Sequence, residues 1–200
     1  MLRNCIIVLF FVLLLGCEQH ASHNQHGAAK DTGNKAHIIL PTQKNNVDTV
    51  KKSLPAIAWG NVNGVRLSVQ YHSPAVRGRI IWGGLVPYDQ VWVTGAHMAT
   101  AFECERSFRM GGIKIPAGKY AFFTIPGKEE WTVILNKDWQ QHLADEYDQS
   151  ADLVRLTIKP ATAEHQERLM YTIDQTGERK CVVEMRWEKL CLRVPLELAH

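Results

Sequence analysis

Apolar and polar residues alternate along the stretch from Val65 to His72, where Val65, Leu67, Val69 and Tyr71 share one parity. An alternation with a period of two predicts a β-strand that buries one face. Further short apolar runs predict strands or strand-like pieces at 80–82, 91–94, 99–104, 108–115, 120–125, 131–135, 153–158, 169–173, 181–187 and 190–196. Turn residues separate these runs about every ten positions, which is typical of antiparallel sandwiches and barrels. We therefore predict a mostly β fold, a single antiparallel β-sandwich or barrel-like domain.

One segment has a different period. Trp139, Leu143 and Tyr147 are spaced four residues apart, and this spacing places them on one face of a helix. Asp138 precedes them and is a residue type that caps helix N-termini. The pattern predicts one short helix beginning at Asp138.

The N-terminus has the pattern of an export signal. Arg3 precedes an apolar run from Cys5 to Leu15, which is shorter than the roughly 20 residues that a membrane-spanning helix needs. The run ends in Leu14-Leu15-Gly16-Cys17, which resembles the bacterial lipobox. That resemblance implies a lipoprotein signal peptide at residues 1–16, cleavage before Cys17 and a diacylglyceryl group on its thiol. The alternative is an ordinary cleaved signal that leaves a soluble secreted protein.

The residues after the signal divide into a tail and a domain. Residues 17–52 are mostly polar and have no periodicity, a composition that cannot bury enough surface to fold. We interpret them as a lipidated, flexible tether, and we assign residues 53–200 to the β-sandwich-like domain. On this interpretation the protein is lipid-anchored in the cell envelope, on the periplasmic or surface side of the outer membrane. Its first partner is then membrane lipid, through acylated Cys17.

Charge and cysteine content narrow the function classes. Residues 57–200 carry 17 Lys and Arg against 17 Asp and Glu, so the domain is neutral and has no basic stripe for nucleic acid. Export and lipidation leave three cysteines, Cys104, Cys181 and Cys191, and an odd number cannot all pair within one chain. Strand parity places Cys181 and Cys191 on different faces. We therefore expect buried free thiols rather than a structural disulfide.

The segment 72–100 concentrates polar and aromatic residues among glycines. Loops of this composition are where sandwich folds place ligand sites. The candidate ligand-binding residues are His72, Arg79, Tyr88, Trp92, Thr94 and His97. In the alternative interpretation, Trp82, Tyr88 and Trp92 close one end of the core.

The chain has no motif of a known catalytic mechanism. It contains no glycine-rich phosphate loop, no His-Glu-x-x-His and no Gly-x-Ser-x-Gly, and nothing calls for a cofactor. We favour a non-enzymatic module that binds a small molecule, glycan or protein. The alternative is a hydrolase-like or metal-binding envelope enzyme that uses the 72–100 segment.

Metal binding has only weak candidates. His97 and Met98 offer the imidazole and thioether that suit copper, but neighbouring residues of a strand point to opposite faces. His20, His23 and His26 could take up a divalent metal loosely, as histidine-rich tracts do.

Several ordered motifs resemble a bacterial domain-of-unknown-function family, numbered 2911. They lie at residues 71–83, 85–88, 91–96, 99–100, 116–120, 123–127 and 130–136. The resemblance implies an envelope protein, often lipid-anchored, with no established activity. Family members tend to carry Arg, Asn and Glu where this chain has Val93, His97 and Met98, and Arg where it has Ser73. The resemblance therefore implies that a basic group and a carboxylate have been lost together.

Lipidation can be tested directly at Cys17. We expect Cys17→Ser to block acylation and to leave unprocessed precursor, because the thiol is the acyl acceptor in the lipobox pathway. Cys5→Ser, in the apolar run, is the matched control and should be processed normally. Intact-mass analysis of membrane fractions measures both, and a mature wild-type chain without acyl mass would contradict the prediction.

Overall fold

A computed structural model describes residues 52–200 of the chain. In this structure, the alternating apolar residues between positions 65 and 72 form the buried face of a strand. Val65, Leu67, Val69 and Tyr71 are all buried, at most 4% exposed. The strands are β1 (Leu54–Val62), β2 (Val65–Ser73), β3 (Ala101–Cys104), β4 (Phe108–Met110), β5 (Ile113–Ile115), β6 (Gly118–Ile125), β7 (Trp131–Asn136), β8 (Asp152–Ile158), β9 (Ala161–Gln175) and β10 (Lys180–Leu198).

The strands form two antiparallel sheets. The first has six strands in the order β1-β2-β3-β6-β7-β8, and the second has the order β5-β4-β10-β9. Side chains from both sheets meet in one apolar cluster, which includes Phe102 and Phe122 from the first sheet and Val183 and Leu192 from the second. The predicted mostly β, sandwich-like fold is confirmed.

Strand β10 doubles back on itself. A straight strand of its 19 residues would be about 60 Å long. The N–H of Leu198 nevertheless donates to the carbonyl of Arg179 over 2.8 Å, and Arg193 lies 2.7 Å from Glu184. Both pairs are centred on residues 188 and 189, and Glu188 has a φ of 55°, so the turn lies there. The predicted strands 181–187 and 190–196 are the two limbs of β10.

The two sheets approach each other closely where β1 meets β9. A Cβ atom added to Gly60 would lie 2.8 Å from the carbonyl oxygen of Ile173 and 2.9 Å from its Cβ. Only glycine leaves room for this contact, so the residue at position 60 fixes how tightly one side of the sandwich can close.

Four tryptophans from three parts of the fold meet at one end of the core. Trp131 belongs to β7 in the first sheet, Trp187 to β10 in the second, and Trp82 and Trp92 to the connection between β2 and β3. The ring centroid of Trp82 lies 4.9 Å from that of Trp131, 5.7 Å from Trp187 and 5.9 Å from Trp92. We call these four residues the tryptophan cluster. It bears out, for Trp82 and Trp92, the interpretation that aromatic residues close one end of the core; Tyr88, the third residue of that interpretation, is not part of the cluster.

The prediction of a helix beginning at Asp138 is wrong. Residues 138–148 form a loop, and the helix that residues 52–200 do contain is a three-residue 3-10 helix, Gln149–Ala151. Leu143 has a φ of 52°, and its N–H donates to the carbonyl of His97 rather than to a helical partner. Trp139 and Tyr147 still pack in one small apolar cluster on the outer face of the first sheet. Leu143, the middle residue of the predicted helix face, is exposed and lies outside this cluster.

Two of the shorter predicted strands are also replaced by irregular backbone. Residues 80–82 lead into a turn in which the N–H of Leu85 donates to the carbonyl of Ile80. Residues 91–94 contribute a single bridge, Trp92 to Thr124, instead of a strand. Both segments lie in the connection between β2 and β3, where contacts with other parts of the fold determine the backbone.

The three cysteines of the domain are buried free thiols, as predicted. Cys181 packs in the main core, whereas Cys191 lies beside Glu184 on the other face of β10. Burial raises the pKa of the Cys181 thiol to about 12, which makes it a poor nucleophile. In the described part of the chain no helix has the length and apolar character needed to cross a membrane.

Candidate functional site

The site is built by the connection between β2 and β3, residues 74–100. Its first part follows β9, where the N–H of Val76 donates to the carbonyl of Glu167. Its later part follows β6, where the N–H of Trp92 donates to the carbonyl of Thr124 over 2.8 Å and the carbonyl of Trp92 accepts from the N–H of Thr124 over 3.0 Å. The connection therefore crosses from the second sheet to the first over the end of the core.

This connection has an unusual backbone. Seven described residues other than glycine have a positive φ, and four of them, Arg77, Asp89, Thr94 and His97, lie in it. Such conformations cost free energy and persist where the surrounding contacts impose them, often at functional sites. Their concentration here marks the connection as the part of the fold whose shape is most strongly constrained.

Three of the candidate ligand-binding residues line one cleft. Its wall is formed by Arg79, Trp92 and His97 together with residues from the start of the domain, the 138–148 loop and β10. The volume of the cleft is about 280 Å³. The remaining lining residues are Lys52, Ser53, Pro74, Ala75, Arg77, Leu85, Val86, Val93, Gly95, Ala96, Leu143 and Trp187. The cleft has basic and apolar side chains and no Asp or Glu.

Arg79 is held in place by the loop that carries it. Its Nε donates to the carbonyl of Val76 over 3.1 Å, and its Nη2 donates to the carbonyl of Ala75 over 2.5 Å. A guanidinium has five N–H donors, so two bonds fix the group and leave further donors for a ligand. The side chain is half-buried, which limits how well water screens its charge.

Trp92 forms an apolar wall of the cleft and belongs to the tryptophan cluster. Its indole N–H donates to the carbonyl of Gly95 over 3.1 Å, and its ring stacks against Trp187 with 5.9 Å between centroids. Trp187 also lines the cleft, and its indole N–H is buried with no acceptor among the described residues. The ring of Trp187 therefore extends the apolar wall, and the accessible donors of the cleft belong to its basic side chains.

Thr94 is placed in the core rather than in the cleft. It is fully buried, and its carbonyl accepts bonds from Tyr171 Oη over 2.8 Å and Thr100 Oγ1 over 3.1 Å. Its own hydroxyl lies 3.0 Å from that of Thr124. These bonds explain how a left-handed threonine is maintained, and they give Thr94 a structural part in shaping the cleft.

Tyr88 and His72 also lie outside the cleft. Tyr88 packs against Gly83, where an added Cβ would come within 2.8 Å of its ring. His72 lines a second, more apolar groove of about 540 Å³ on the outer face of the first sheet, together with Met98 and Trp139. The rings of His72 and His97 meet edge to face with centroids 5.3 Å apart, so His97 joins the two concave surfaces.

Among the described residues, Ser73 and the histidine pair do not form a catalytic arrangement. Ser73, beside His72 in sequence, is buried and donates its hydroxyl to the carbonyl of Leu169 over 2.7 Å. Within residues 52–200, neither histidine of the pair has a side-chain hydrogen bond to Ser, Asp or Glu. In the same residues no group of three or more His, Cys, Asp or Glu could hold a metal. Cys17 and the weak metal candidates His20, His23 and His26 lie outside the described residues.

Sequence reasoning missed several cleft residues. Trp187 comes from a strand far along the chain, Leu143 from the loop that was predicted as a helix, and Lys52 from the end of the predicted tether. Leu143 and Leu85 are 38% and 45% exposed, although the sequence alone marks both only as apolar. Contacts between segments that are far apart in the sequence bring these residues together. Local sequence patterns therefore could not predict that they line one cleft.

Fold and site together define an antiparallel β-sandwich domain with a donor-rich cleft where the β2–β3 connection crosses one end. The sequence model of the family described as "Protein of unknown function (DUF2911)" matches residues 53–196, and the chain belongs to that family. This confirms the resemblance drawn from the motifs. No curated protein and no solved structure matches the chain.

The contact between the two histidines predicts a specific pH response. Burial lowers the pKa of His72, and the neighbouring His97 lowers it further. We expect His97→Ala to raise the pKa of His72 but not to restore its ordinary value, because burial is the larger cause. A ¹H–¹³C NMR titration of the histidine rings measures this, with His165→Ala as control. An unchanged His72 pKa in His97→Ala would contradict the contact.

Proposed function

We propose that this protein is a lipid-anchored cell-envelope lipoprotein whose β-sandwich acts as a non-enzymatic binding module. The cleft lined by Arg79, Trp92 and His97 is the binding site. The observation that carries the proposal is that these three residues, selected from sequence as ligand candidates, lie around one concavity. A small molecule, a glycan or a protein segment could supply the bound group.

Exposed apolar side chains support this choice of face. Five large hydrophobic residues of the described chain are exposed, and three of them line the cleft or the adjoining groove. Leu85 and Leu143 line the cleft, Met98 lines the groove, and Ile80 makes a turn with Leu85. Exposed apolar groups gathered at one place mark interaction surfaces more often than chance scatter does.

The position at which the proposed tether joins the domain fits an anchored binding protein. The first described residues are Lys52, which ends the proposed tether, and Ser53, which begins the domain, and both line the cleft. A lipid on Cys17 would then hold the domain near the membrane through the segment that joins it beside the cleft. In this arrangement, ligand capture would take place close to the envelope surface.

A fragment screen followed by ¹H–¹⁵N NMR tests the binding site. We expect the bound fragments to cause their largest shift changes at the Trp92 indole and at His97, and to be recovered chemically unchanged. His97→Ala should weaken those fragments and leave the fold intact, because this exposed ring makes its described contact only with His72.

His200→Ala is the matched control, since His200 is an exposed histidine after β10 that contacts Arg179 and lines neither the cleft nor the groove. If the fragments instead bind in the groove around His72 and Trp139, that groove and not the cleft would be the binding site. Fragments that are hydrolysed on prolonged incubation would favour the enzymatic alternative.

A further inference from the structure

The charged groups of the cleft all have the same sign. Lys52, Arg77 and Arg79 contribute positive charge, His97 adds an imidazole, and no lining residue is acidic. The domain as a whole is neutral, with 17 basic and 17 acidic residues from 57 to 200, so this local excess is not a reflection of the overall composition. The carboxylate of Glu167 does not line the cleft, but it accepts a 2.8 Å hydrogen bond from the backbone N–H of the lining residue Arg77.

The hydrogen-bonding groups of the cleft also favour a ligand that accepts hydrogen bonds. The carbonyls of Ala75, Val76 and Gly95 already accept bonds from Arg79 and Trp92. The guanidinium of Arg79 keeps N–H donors beyond its two bonds to backbone carbonyls, and these can bond a ligand. A ligand that fits this wall must bring acceptors, and a negative charge would favour it further.

Shape and apolar surface restrict the ligand in a second way. The volume of about 280 Å³ equals that of about nine waters at about 30 Å³ each. Trp92, Leu85 and Leu143 provide apolar wall on the same cavity. Such a space accommodates a compact apolar or aromatic body and leaves the basic side chains to contact one charged end.

We infer that the cleft binds a small organic acid, in which a carboxylate or phosphate on a compact apolar body pairs with Arg79 while the body packs on Trp92. This inference rests on the proposed binding function and adds the class of ligand. The planar guanidinium of Arg79, positioned by two backbone carbonyls, is suited to two parallel bonds with the oxygens of either anion.

The test compares an acid with its neutral analogue on the whole exported chain. Benzoate and phenyl phosphate are titrated against benzamide, with the Trp92 indole resonance reporting occupation of the cleft. We expect saturable binding of at least one of the two acids, binding of benzamide weaker by roughly tenfold or more, and loss of affinity as salt rises. This comparison uses the wild-type chain and does not depend on any variant folding.

Arg79→Met adds a second arm, with Arg109→Met as its matched control. Arg109 is an exposed arginine on β4 that also donates to a backbone carbonyl, that of Gly112, over 2.9 Å. We expect Arg79→Met to lower the affinity for the acid roughly tenfold or more and Arg109→Met to leave it unchanged.

Two results would overturn the inference in distinguishable ways. Equal binding of benzamide and benzoate at Trp92 would remove the anion requirement and leave the cleft as a binding site. No saturable binding of either acid up to its solubility would also overturn it, and the fragment screen would then decide separately whether the cleft binds anything.

Discussion

The tryptophan cluster is the interaction on which the rest of this structure depends. Trp131 and Trp187 are each 1% exposed and come from opposite sheets, and Trp82 makes edge-to-face contacts with both. Aromatic pairs of this geometry contribute about 0.5–1.5 kcal/mol beyond the burial of their area. Against a usual total stability of 5–15 kcal/mol for a domain, a group of such contacts is large enough to determine how the β2–β3 connection lies across the sandwich.

The cleft follows from that placement. Trp92 and Trp187 are members of the cluster and also form part of the cleft wall, so the packing that closes the core also shapes the site. Thr94 connects the same loop to the core, because its carbonyl accepts the hydroxyl of Tyr171 on β9. A rigid loop held at two points can keep Arg79 and His97 in position without a ligand, and such preorganisation lowers the entropic cost of binding.

Local patterns predicted the features that local physics determines. The pleat imposes a period of two, so the strand containing Val65 and Tyr71 was visible in sequence. Arg79, Trp92 and His97 could be selected because they lie in one short polar and aromatic stretch. The loop around Leu143 was mistaken for a helix, and Trp187 was missed, because bonds and packing between distant segments decide both.

The most direct test of this account is the stability of Trp82→Ala measured by urea unfolding beside Trp59→Ala. Trp82 touches the three other members of the cluster, whereas Trp59 is a half-buried tryptophan of β1 outside it, with Arg66 above its ring. We expect Trp82→Ala to lower the free energy of unfolding by about 3 kcal/mol or more, clearly more than Trp59→Ala does. Equal losses for the two variants would show that the cluster does not hold the fold together.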